Sequence, residues 1–112
     1  KEDYHNQTKV YFYVKHKNKI YLFEFLYNNN DGQANLDEDS ISLIILKDNT
    51  KNEGEQYVYE NILNNYNLEE FYDELNTFII ENLNNKKPTD FTRELKTKLQ
   101  TILTENILRH EN

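Results

Sequence analysis

The segment Asn29-Asn30-Asp31-Gly32-Gln33-Ala34-Asn35-Leu36-Asp37-Glu38 carries the oxygen donors of a calcium loop. With Gly32 at the sixth position, Asn29, Asp31, Asn35 and Glu38 fall at the third, fifth, ninth and twelfth, where such a loop takes its ligands. The first position is Tyr27, which has no carboxylate to offer, and the segment lies between strand-forming runs rather than helices. Asp31-Gly32 reads instead as an ordinary turn signal, and no metal site is predicted.

Other reactive residue types are equally poor in arrangement. His5, His16 and His110 lie in an N-terminal tail, a hairpin turn and the C-terminal end, with no helical or alternating spacing, so each reads as a surface residue. Ser40 and Ser42 are the only serines, and neither has the context of a nucleophile elbow. Glu69-Glu70 and Asp73-Glu74 pair carboxylates as glycosidases do, but they fall in the first turns of a helix, which favours negative charge in any case. Gly32 and Gly54 are the only glycines, so phosphate-cradling loops are absent. The lack of cysteine removes disulfides, thiolate metal sites and a thiol nucleophile together. No catalytic residue, cofactor or metal is assigned, and the chain is not expected to be an enzyme.

One constellation remains, the interleaving of Lys9, Tyr11, Tyr13, Lys15, Lys17, Lys19 and Tyr21. Sheet aromatics flanked by cations can stack the bases of a single strand. The glycine and arginine pattern of RNA-recognition sheets is missing, and the pI is about 4.9, so nucleic acid is not the expected partner.

These residues must be positioned by a small α+β fold. Val10 to Val14 and Ile20 to Tyr27 are β-branched and aromatic runs separated by a five-residue polar stretch, which predicts a β-hairpin turning at Lys17-Asn18. That register sets Phe12 against Phe23, Val10 against Phe25 and Val14 against Tyr21, an apolar face suited to the core. The opposite face carries Tyr11, Tyr13, Lys15, Ile20, Leu22, Glu24 and Leu26, a mixture that calls for a cover or a partner. A third strand at about Ser40 to Leu46, after a polar loop Asn28 to Asp39, completes a three-stranded antiparallel sheet.

The second half changes period. Leu68, Phe71, Tyr72, Leu75, Phe78, Ile79 and Leu83 recur at three- and four-residue steps behind an Asn67 and Glu70 cap, the signature of an amphipathic helix. Pro88 ends that helix, and Thr89 or Asp90 caps a second one bearing Phe91, Leu95, Leu99, Ile102, Leu103 and Ile107 as far as about Arg109. Tyr57 to Tyr66 mixes strand and helix spacing and is read as a short extra helix. All 112 residues are read as a single domain, with 1–8 as a flexible tail.

Composition and charge bound the function. No run is long or apolar enough to span a bilayer and no signal peptide is visible, so a soluble chain without membrane insertion is expected. A chain that opens on Lys1 and lacks methionine is expected to be a processed protein or a piece of a longer one, which leaves both the cytoplasm and secretion open. Asparagine occurs 18 times and lysine outnumbers arginine 11 to 2, a codon bias with no chemical message. The net charge of −7 is unevenly placed: residues 1–27 carry +2, residues 28–85 carry −11 and residues 86–112 carry +2. The acidic middle favours a basic partner and repels phosphate backbones, or simply maintains solubility.

The expected function is therefore a non-enzymatic protein-binding module of the inhibitor, immunity, adaptor or surface-domain type, with self-association as a related use of the same surface. Its contact residues are Tyr11, Tyr13, Ile20, Leu22, Glu24 and Leu26 on the second sheet face and Asp37, Glu38 and Asp39 in the acidic middle. The alternative is a nucleic-acid-related protein, either an acidic mimic that blocks a nucleic-acid-binding protein or a single-strand binder through the Tyr/Lys hairpin.

Overall fold

Val, Ile, Tyr and Phe fill the first half of the chain, and pleated strands form where their bulk is accommodated best. The computed structural model describes residues 7–30, 33–51, 60–82 and 88–111. Strands β1 (Gln7–His16) and β2 (Lys19–Asn30) form an antiparallel hairpin, and β3 (Gln33–Asp48) pairs with the other side of β2, so the sheet order is β1-β2-β3. Phe12 faces Phe23, Val10 faces Phe25 and Val14 faces Tyr21, the register expected from the pattern. Lys17 turns the hairpin with φ 54°, the positive value that two-residue hairpin turns demand at their first central residue. Gln7 and Thr8, taken as the end of a tail, already belong to β1.

The stretch Asn28 to Asp39 is not the polar loop expected of it. Asn28, Asn29 and Asn30 pair with Asn35, Ala34 and Gln33, so the ladder continues to Asn30 and Gln33 and β3 starts well before Ser40, while the expected turn at Asp31-Gly32 lies outside the described residues. Pairing satisfies the backbone groups of these asparagines, which outweighs their weak preference for strands. The long β3 carries an irregularity: between the pairs Glu24–Ser42 and Leu26–Asp37, β2 advances two residues while β3 advances five. Ser40 closes the resulting bulge, its hydroxyl accepting from the Leu26 amide at 2.7 Å and donating to the Asp37 carbonyl at 2.6 Å.

One sheet face is sealed by two helices, α1 (Glu69–Asn82) and α2 (Pro88–Asn106). Phe12, Val14, Tyr21, Phe23, Phe25, Tyr27, Ile41 and Leu43 are buried there against Phe71, Leu75, Ile79, Leu95, Leu99, Ile102 and Leu103. The Phe71 ring stands edge-on to Phe23 at 6.3 Å. Val10 and Phe78, expected in the core, are only partly buried at its margin. Leu83 and the Phe91 side chain lie outside the described residues.

Asn67 Oδ1 accepts the Glu69 amide at 3.3 Å, as a helix start requires. Pro88, expected to end the first helix, instead opens α2, where its missing N–H costs nothing, so Thr89 and Asp90 lie within the first turn of α2 rather than capping it. The short extra helix is a 3-10 turn, Ile62–Asn65, that buries Ile62 and Leu63; Tyr57 to Tyr59 lie outside the described residues. The second helix stops at Asn106, short of Arg109. Ile107 and Leu108 are both buried, and a tighter 3-10 turn, Leu108–His110, directs the two consecutive side chains into the core. No described helix is long and apolar enough to cross a membrane.

Candidate functional site

Strand parity places the second set of hairpin side chains together on the face opposite the core. Cross-strand rows define it: Lys9–Leu26–Asp37, Tyr11–Glu24–Ser42, Tyr13–Leu22–Ile44 and Lys15–Ile20–Lys47. Tyr11 and Tyr13 are 59% and 58% exposed, whereas Ile20, Leu22, Glu24 and Leu26 are half-buried beneath their neighbours. The centre of the face is thus a tyrosine, a leucine and an isoleucine side by side, and its corners are charged.

Glu24 is held in place near that centre. Its carboxylate pairs with Lys9 Nζ at 3.2 Å and accepts from the Ser42 hydroxyl at 3.5 Å. A bound phosphate backbone would meet this carboxylate, whereas the amide, hydroxyl and charged groups of a protein would find both signs available.

The acidic residues divide between two surfaces. Asp37 pairs with Leu26 and so belongs to the rim of the tyrosine face, and its Oδ1 accepts the Asp39 amide at 3.2 Å. Glu38 lines a concavity of about 550 Å³ on the helix side together with Tyr66, Asn67, Glu69, Tyr72 and Asp73. Burial pushes the Tyr72 hydroxyl up from its ordinary pKa, and the charges of Glu38 and Asp39 push it in the same direction. The nine expected contact residues therefore form one coherent face of seven and a separate acidic pair. Of the oxygen donors that the calcium pattern would use, Asn29 pairs with Ala34 and Asn35 with Asn28 in the ladder, and Asp31 lies outside the described residues.

Lys9, singled out only with the Tyr/Lys interleaving, also belongs to the face, as do Ser42, Ile44 and Lys47, which were not assigned to it from the pattern. The run Ile41-Ser42-Leu43-Ile44-Ile45-Leu46 hides its alternation, since apolar residues occupy both faces of β3. Ser42 was the one visible mark of the outward phase.

The two sheet edges differ. Beside β3, the Asn61 side chain behaves as a strand peptide, accepting the Leu43 amide and donating to the Ile41 carbonyl, both at 3.0 Å. Further along, Asn76 Oδ1 of α1 accepts the Leu36 amide at 2.8 Å. Along the outer edge of β1 no described strand pairs. Comparison with family models, with curated proteins and with solved structures gives no match for this chain.

Proposed function

We propose that the chain is a protein-binding module whose contact surface is the open sheet face centred on Tyr11, Tyr13 and Leu22. The observation that carries this reading is the exposure of Tyr11 and Tyr13, at 59% and 58%, on a face that no described helix covers. Tyrosine buries a large apolar area while keeping a polar tip, which suits it to surfaces that are wet in one state and buried in another. Asp37, Lys9 and Lys15 supply a rim of both signs, as interfaces of this kind carry.

A photo-crosslinking amino acid at Tyr13 tests the proposal, with Thr97 on α2 as a control position. Discrete adducts to another protein from Tyr13 but not from Thr97 are expected in extracts of the source organism. Equal or absent adducts at both positions would remove the proposal.

The single-strand reading rests on the same exposed tyrosines, but Glu24 stands between them and Ser42 where phosphates would run. A fluorescence titration with single-stranded oligothymidylate is expected to show no saturable binding at physiological salt. Binding that strengthens steeply as salt is lowered would favour nucleic acid instead.

A further inference from the structure

We infer that the outer edge of β1 takes up an extended acidic segment of another protein as a fourth strand of the sheet. This rests on the proposed protein-binding use of the open face and adds the conformation and charge of the partner.

The direction of the free backbone groups follows from the ladder. Leu43 N–H and Ile41 C=O turn outward to Asn61, so Ser42 and Ile44 direct theirs towards β2. In β2 the even residues Leu22 and Glu24 then face β3, and Phe23 and Phe25 face β1. Consequently Val10, Phe12 and Val14 spend their backbone groups on β2, and those of Lys9, Tyr11, Tyr13 and Lys15 point to the outer edge. The same four residues place their side chains on the open face.

An edge of this kind is a template for another strand, and lysines along it discourage indiscriminate pairing. The order cation, tyrosine, tyrosine, cation also selects. Opposite charges across a strand pair are favourable and like charges unfavourable, so a matching strand has acids opposite Lys9 and Lys15 and apolar residues opposite the tyrosines. A second copy paired symmetrically about Phe12 would set Lys9 against Lys15. The positive edge is local to this strand, for residues 28–85 carry −11. Lys9, itself exposed, is already paired with the half-buried Glu24 at 3.2 Å, so an incoming carboxylate competes with Glu24 and gains when that charge is removed.

The test uses two short acetylated and amidated probes. One alternates threonine with glutamate, valine, valine and glutamate in that order, and the other has lysine in place of glutamate. The glutamate probe is expected to bind roughly tenfold more tightly, to slow amide exchange at Lys9, Tyr11, Tyr13 and Lys15, and to leave Val10, Phe12 and Val14 unchanged. Glu24→Gln should tighten it further, and Lys9→Glu with Lys15→Glu should reverse the preference. Equal affinity for the two probes, or no protection of those four amides, overturns the inference. Protection of the same amides in the protein alone as its concentration rises also overturns it, with a second copy as the occupant. If the probes fail while Tyr13 still crosslinks to a protein, the strand inference falls and the face proposal stands; loss of both removes both.

Discussion

Two tyrosines at the C-terminal end of the core show how one hydroxyl stabilises and another does not. Tyr66 donates to Glu111 and stands 3.4 Å from the Ile107 carbonyl, while Lys17 Nζ reaches the Glu111 carbonyl at 3.1 Å, so the last described residues are fastened to the hairpin turn. Tyr21 is fully buried, yet its hydroxyl has no partner among the described residues. Tyr66→Phe is expected to cost about 1–2 kcal/mol, because it removes a charge-assisted hydrogen bond, and Tyr21→Phe to be neutral or slightly stabilising. Chemical denaturation of the two variants checks both. Burial and then Glu111 raise Tyr66 from 10.0 to about 12, and burial, Glu111 and Asp48 raise Tyr21 from 10.0 to about 12. A raised folded-state pKa stabilises the protonated form, so this contribution is complete below pH 10 and is lost as the pH rises through about 12. Stability should therefore fall across that alkaline window, and less steeply in Tyr66→Phe. None of this was legible in the sequence, since Tyr66 and Glu111 are 45 residues apart and nothing in their local patterns links them.

At the scale of elements, side-chain amides take the place of a fourth strand beside β3. Asn61→Ala removes the partners of Leu43 N–H and Ile41 C=O together with the cap on Leu63, and a loss of roughly 2–3 kcal/mol is expected from leaving part-buried backbone groups unsatisfied. Asn61→Asp keeps an acceptor for Leu43 but offers no donor to Ile41, so its loss should be intermediate; urea titrations of the two variants give the comparison. Phe23→Ala, which empties a site lined by Phe12, Phe25 and Phe71, should cost about 3–5 kcal/mol. A change below about 1 kcal/mol would place Phe23 outside the core. The hairpin register and both helices were legible because period and turn residues agree there. The extent of β3 was not, because asparagine propensity argues for a loop, and no apolar alternation marks the nearby pairing of Asn28, Asn29 and Asn30 with Asn35, Ala34 and Gln33. The bulge at Ser40 likewise arises from pairing, and no residue type announces it.

For the whole molecule, the helices settle which half of the sheet is interior. Both pack on the phenylalanine face, so the parity that commits Phe12, Phe23 and Phe25 to the core leaves Tyr11, Tyr13 and Leu22 together on the outside. The sequence pattern identified both faces, but only the placement of α1 and α2 distinguishes a covered face from an open one. The acidic middle shows the converse, as a continuous stretch of charge separates into Asp37 on the rim of the sheet and Glu38 beside α1. The central claim is that the tyrosine face is dispensable for folding and required for association. Tyr13→Ser combined with Leu22→Lys measures both on one protein, by thermal unfolding and by crosslinking from a third position on the face, Tyr11. The account predicts a folded variant whose stability falls by no more than about 1–2 kcal/mol, the scale of surface strand substitutions, and whose crosslinked partner is lost. A variant that fails to fold, or one that folds and retains its partner undiminished, would contradict it.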